Sequence, residues 1–350
     1  MFSERIWFSR IIGKLTLVVG MLFCANLVSA QDFHYSQFYN APSTINPALT
    51  GIFNGDQRIT ASIRDQWRSV PVPWFNFTLA YDRKFYPRKA EKGFFAAGLS
   101  YNFDSQGDSN IRLNNINLSG SYTRILNERN LITIGGLVGY ANRGFDQANL
   151  TWDRFWDPDR FIVDPIRGSG EPPLFTRFGF LETSLGLNYR WQKSSMTNLD
   201  LGIGGWHLTT PAARFNSGTT DDQSLPLRLS IYGTYSRELT DKLDLQLDAL
   251  YQIQTTFDEL VFGGYVNLYL NQNRGKELQL RLGVGYRTRK AVFPKLGIEY
   301  NNIFVAGSWD IYLLDTLSEV DHGGSGPELH FRYIIKHVRP LSKFKTCPIF

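Results

Sequence analysis

The 350-residue sequence is short of cysteine, of long apolar runs and of net charge, and each shortage excludes a class of protein. Only Cys24 and Cys347 are present. A disulfide framework or a Cys-based metal site needs several thiols at set spacings, so neither can form within one chain. The formal charge is +5, and it falls to about +3 when the three bases and one acid of residues 1–30 are set aside. So slight an excess gives no footprint for nucleic acid, and none is expected as a partner. Beyond residue 30 no stretch reaches the roughly 20 apolar residues of a membrane-spanning helix. Nor is there the sustained three-to-four spacing of an amphipathic helix.

The one long apolar run stands at the start. Arg5, Arg10 and Lys14 lead into Leu15–Val28, and the small residues Val28-Ser29-Ala30 precede Gln31. That order predicts a secretory signal peptide over 1–30. A membrane anchor is the rival, but a run of about 14 residues is too short to span. Phe23 before Cys24 is the wrong residue for lipoprotein cleavage.

Aromatics, by contrast, make up 15% of the chain, although mean hydropathy is negative. A membrane β-barrel reconciles the two, because only every second residue must face lipid. Period-two alternation dominates from Gln57 onward. In 243–254 the odd positions Leu243, Leu245, Leu247, Tyr251 and Ile253 alternate with Asp244, Gln246, Asp248, Gln252 and Gln254. In 277–289 Leu278, Leu280, Leu282, Val284 and Tyr286 oppose Glu277, Gln279, Arg281, Arg287 and Arg289. The alternation predicts fourteen strands, at 57–66, 75–85, 93–104, 113–126, 131–142, 182–191, 199–206, 226–236, 242–255, 259–270, 277–289, 293–300, 303–312 and 328–336. Most approach the 9–11 residues of a tilted spanning strand, and the number is even. The longest connections, 143–181, 207–225 and 313–327, all have one parity, while 127–130, 237–241 and 301–302 have the other. Long loops outside and short turns in the periplasm are the asymmetry of outer-membrane barrels. The expected fold is therefore an all-β, transmembrane, up-and-down antiparallel barrel of about 14 strands in the outer membrane.

Tyr101, Phe103, Tyr189, Trp191, Trp206, Tyr235, Tyr269, Tyr300, Trp309 and Tyr312 lie near strand ends and read as interfacial girdles. Glycines within strands, among them Gly135, Gly136, Gly263, Gly283 and Gly285, mark either bends or room for something in the lumen. Three segments fall outside the strand pattern. Residues 31–56 are read as a periplasmic N-terminal segment, with folding into the barrel as the alternative. Residues 337–350 are read as a periplasmic tail. The loop 143–181 carries Trp152, Phe155, Trp156, Phe161, Phe175, Phe178 and Phe180. Exposed aromatics are costly unless covered, so this loop either plugs the lumen or offers a hot-spot patch to a protein partner.

No catalytic constellation emerges, and no enzymatic activity, cofactor or metal is expected. His34, His207, His322, His330 and His337 are not spaced as metal ligands. His330 is expected to face a wetted lumen beside Arg332. Asp153, Asp157, Asp159 and Asp164 lack the donor spacing and central glycine of a calcium loop. No Ser-His pair with a third orienting group can be named.

Two stretches go beyond barrel logic. The first runs Gln31-Asp32-Phe33-His34-Tyr35-Ser36-Gln37-Phe38-Tyr39 and continues through Asn40-Ala41-Pro42 to Asn46-Pro47-Ala48-Leu49-Thr50-Gly51. The second is Arg64-Asp65-Gln66-Trp67. Together they resemble the PorP/SprF family of the type IX secretion system of Bacteroidota, and the Cys347-Pro348-Ile349-Phe350 ending is similar to SprF-like tails. The resemblance spans the chain after residue 30, with Phe33 standing where proline is common. It implies an outer-membrane barrel working with the secretion and gliding machinery. Its expected partners are a secreted type IX cargo, bound through the cargo's C-terminal domain, and machinery components, some periplasmic. From these readings the partner-binding residues are expected to be Trp152, Phe155, Trp156, Phe161, Trp206 and His207, and the periplasmic family motif Ser36, Gln37, Phe38, Asn46, Pro47 and Gly51. The competing expectation is a small-solute pore or transporter lined by Asp244, Asp248, Arg281 and Arg287.

Overall fold

The computed structural model describes residues 34–67, 73–87, 93–107, 109–146, 150, 152–164, 166, 176–194, 196–212, 224–288, 291–313 and 326–337. The signal peptide, the tail beyond His337, most of 313–327, Arg167, Phe175 and His322 lie outside the described residues.

Alternation of side chains builds the wall. Five strands come first: β1 (Gln57–Gln66), β2 (Trp74–Phe85), β3 (Gly93–Gln106), β4 (Ile111–Ile125) and β5 (Asn130–Gly144). A two-residue hairpin follows, β6 (Trp156–Asp157) and β7 (Ile162–Val163). Next come β8 (Arg177–Gln192), β9 (Asn198–Trp206), β10 (Arg228–Thr240), β11 (Leu243–Gln254) and β12 (Phe257–Asn271). The last four are β13 (Leu278–Arg287), β14 (Ala291–Tyr300), β15 (Ile303–Tyr312) and β16 (Gly326–Ile335). All but β6 and β7 form one closed antiparallel barrel of 14 strands, in which β16 pairs with β1. Each strand pairs with its neighbour in sequence, apart from the hairpin set between β5 and β8.

The wall is apolar outside and polar inside. On β4, Leu118 is 67% exposed while its neighbour Asn117 is 1% exposed. Such a surface is stable only where hydrocarbon covers the outer face. One rim carries the connections 145–176, 207–227 and 313–325, and the other carries 126–129, 241–242 and 301–302. Asn301 takes φ 52° in its two-residue turn, a left-handed conformation asparagine tolerates in tight hairpins.

Some sequence expectations are corrected here. β8 starts at Arg177 rather than 182, because Arg177–Leu181 pair with Tyr140–Gly144 and extend the wall. β10 runs on to Thr240 through a register shift near Glu238. Of the aromatic girdle, Trp206, Tyr269 and Tyr312 occupy inward positions. Trp206 is buried, and the Tyr269 hydroxyl reaches Asp244 inside the barrel. Residues 35–53 are not a separate periplasmic segment, for they lie within the lumen against the inward side chains of the strands.

Candidate functional site: the occupied lumen

The segment enters at the short-turn rim, where the Asp56 amide donates to Ile335 O, and climbs to the long-loop rim, where His34 packs edge-on against Trp74. On the way it makes three single turns of 3-10 helix, Phe38–Asn40, Pro42–Thr44 and Pro47–Leu49. Pro42 and Pro47 open two of them, where a fixed φ helps and a missing N–H costs nothing.

A row of small side chains makes room for it. Reading across the wall at one register, Ala96 pairs with Ser121, Ser121 with Gly135, Gly135 with Gly186, Gly186 with Gly204 and Gly204 with Ser230. The row thus crosses six consecutive strands. A Cβ on Gly135 would stand 2.6 Å from the Ala48 Cα, and one on Gly204 2.7 Å from Ile45 O. One on Gly186 would overlap the Asn46 amide. With those side chains absent, Asn46 Nδ2 reaches the wall itself and donates to Leu187 O at 2.9 Å and Ile203 O at 3.0 Å. Its Oδ1 accepts from the Ala48 amide at 2.8 Å and caps the third turn. Ser121 Oγ donates to Thr50 O, Trp206 Nε1 to Ile45 O and Arg228 to Thr44 O.

The upper end is held by charge. The backbone amides of Ser36 and Gln37 each donate to the Glu328 carboxylate at 2.7 Å. Ser36 Oγ donates to Asp310 at 2.9 Å and accepts from Arg287 at 2.7 Å. Arg64 spans Asp310 at 2.6 Å and His34 O at 2.7 Å, and Arg287 also faces Glu259 at 3.1 Å. Arg64, Arg287 and Glu328 are at most 2% exposed. Charges so buried persist only when each is paired and hydrogen-bonded. The Tyr35 hydroxyl donates to Thr78 Oγ1. At the lower end Asp82 accepts from the Gly51 amide and from Arg58, each at 2.7 Å, while Arg58 donates to Leu49 O. Gly51 has φ +79° and a Cβ there would collide with Ala96, so two constraints require glycine.

The cradle fills the upper lumen, leaving a void of about 20 Å³ beside Thr44, Trp206 and His207. Below it a cavity of about 640 Å³ opens at the short-turn rim, roofed by Tyr39 and Phe53 and walled in part by Arg58, Arg281 and Glu299.

The model of the type IX secretion system membrane protein PorP/SprF matches residues 27–326. The chain belongs to that family. It is an outer-membrane protein, and the long-loop rim of this PorP/SprF member is the outer one. No curated protein matches the sequence. Similar solved barrels include the Ralstonia pickettii toluene transporter TbuX, at 12% identity over 85% of this chain and 94% of that one, with a TM-score of 0.47. A Pseudomonas aeruginosa FadL homologue shares 14% identity over 82% of this chain and 92% of that one, TM-score 0.48. The P. putida toluene transporter TodX shares 11% over 84% and 93%, TM-score 0.45.

The motif residues Ser36, Gln37, Phe38, Asn46, Pro47 and Gly51 of this family member are all buried together in the cradle, so none is offered to the periplasm. The residues expected to bind a partner do not form one set. Trp206 and His207 are 4% and 5% exposed, and the His207 amide donates to Glu182. Trp152 and Phe155 are half-buried, whereas Trp156 and Phe161 are exposed on the outer hairpin and meet edge-on at 6.2 Å. His330 is buried rather than wetted, with Nδ1 at 2.7 Å from Ser62 Oγ and Nε2 at 2.7 Å from Glu328. Among the described residues no group of three or more His, Cys, Asp or Glu could hold a metal ion. Sequence reasoning missed Glu328 and Asp310 as holders of the segment. Of the small-residue row it singled out Gly135, as a bend or as room for something in the lumen, but not Gly186 or Gly204.

Proposed function

We propose that this barrel helps export a secreted surface protein of the type IX system and anchors it through the cargo's C-terminal domain, without enzymatic action of its own. The observation that supports this reading most is the outer hairpin. Phe161 and Val163 are 77% and 59% exposed, with Trp156, Ile162 and Ile166 beside them. An apolar group standing in water outside the membrane marks a surface that another protein covers, and aromatic anchors carry most of the energy of such contacts. The lumen beneath is filled by the chain's own segment, which directs recognition to the outside. The short-turn rim is the side available to periplasmic components of the machinery.

Affinity capture from outer membranes tests the proposal. The wild-type barrel is expected to bring down a type IX cargo, and Trp156→Ala with Phe161→Ala to reduce recovery by about tenfold or more. Capture of no cargo by the wild type would remove the proposal. A second reading, a solute pore, is favoured by the 640 Å³ cavity that reaches the underside of the segment. Conductance separates the two.

A further inference from the structure

The outer face of β4, β5 and β8 changes character abruptly along its length. From the periplasmic side it is apolar, with Ile132, Ile134, Val138 and Tyr140 on β5 each 45–60% exposed, and Ile116 and Leu181 level with the upper end of that band. Above the band the outward positions turn polar within one step. Asn114 pairs with Asn142, and then Arg112, Gly144 and Arg177 stand side by side on the three strands. That switch is where hydrocarbon gives way to headgroups. Tyr101, whose hydroxyl donates to Asn114 Oδ1 at 2.8 Å, lies at the same level.

These residues border a groove of about 520 Å³, lined by Arg112, Asn114, Asn142, Gly144, Asp146 and Arg177 with neighbouring backbone. Both arginines are exposed, and neither is paired with an acid among the described residues. Glycine between them leaves room on the middle strand, over which the Arg177 stem leans. Their strands lie two spacings apart, roughly 10 Å, so the two guanidinium forks can close on one anion from either side. Arginine in this arrangement suits the planar, bidentate geometry of phosphate oxygens. Asparagine amides beside it suit hydroxyls. The acid Asp146 leaves the lining one charge positive.

We infer that this groove binds the phosphorylated sugar head of an outer-leaflet glycolipid, whose acyl chains lie on the apolar band below. Position selects a lipid over a free anion. A soluble phosphate would meet the arginines alone, while a lipid also covers Ile116, Val138 and Leu181.

The test uses the full chain purified in detergent. Titration with lipopolysaccharide carrying its lipid A phosphates is expected to give saturable binding and a rise in Tm. Arg112→Gln with Arg177→Gln should weaken that binding by about tenfold or more, since charge-assisted contacts are being removed. Both side chains are exposed, so unchanged heat-modifiable gel mobility should show the barrel intact. Arg124→Gln, at the opposite rim, should bind as the wild type does. The same lipopolysaccharide stripped of phosphate should behave like the double variant. Equal binding by the double variant, equal binding of the dephosphorylated lipid, or displacement by inorganic phosphate at similar concentration would each overturn the inference.

Discussion

At the scale of single residues the structure turns on positions where a side chain is either missing or fully paired. Three of the four side-chain hydrogen bonds of Asn46 are 3.0 Å or shorter, and two of these three go to strand carbonyls. At about 1 kcal/mol each, Asn46→Ala is expected to cost about 3 kcal/mol, read as a lowered Tm. Gly186→Val should do more, because the new side chain takes the space of the Asn46 amide. Increased protease cleavage within 34–53 on an intact barrel is the expected result. Glu328→Gln removes a buried charge that Arg64 faces at 3.6 Å and that lies 2.7 Å from His330 Nε2. Breaking such a pair costs about 3–5 kcal/mol, and denaturant unfolding of the variant checks it. Part of this was legible beforehand. The parity of β9 places Trp206 with Asp200 and Gly204 on the inner face, but its location near a strand end suggested a girdle. Period two says which face a residue takes and nothing of what stands opposite that face. The motif from Ser36 to Gly51 was therefore recognisable, while its place stayed open between the periplasm and the barrel.

Among elements, the strands were the most legible and the connections the least. Strands here are long, alternate cleanly and end in turn residues, and β1, β15 and the closing order follow from that pattern alone. The aromatic loop 143–181 was harder, since Phe178 and Phe180 continue an alternation that a neighbouring tryptophan-rich stretch obscures. Both phenylalanines stack at 6.0 Å on the strand they extend. Among the described residues, the occupant of the lumen is the N-terminal segment. Removing residues 34–53 is expected to leave the 14-strand wall in place, because its ladders are made between strands. In planar bilayers the wild type should then be nearly silent and the deletion variant should conduct steadily. Steady wild-type conductance, unaffected by the deletion, would instead support the pore reading.

For the whole molecule, charge, contacts and topology agree on a closed cylinder with one busy face. The exposed hairpin and the arginine groove both belong to the outer rim, so loss of cargo recovery on changing Trp156 and Phe161 should leave lipid binding unaltered. Measuring both on the same variant checks that the two surfaces are separate. The N-terminal segment has one more consequence. Its first residues are gripped by Glu328 of β16 and Asp310 of β15, its last by Arg58 of β1 and Asp82 of β2. The same short stretch thus fastens both sides of the joint at which the sheet meets itself. A nascent barrel that still lacks its final strand has no Glu328 to receive Ser36 and Gln37, so the grip on the start of the segment can form only once that strand has arrived.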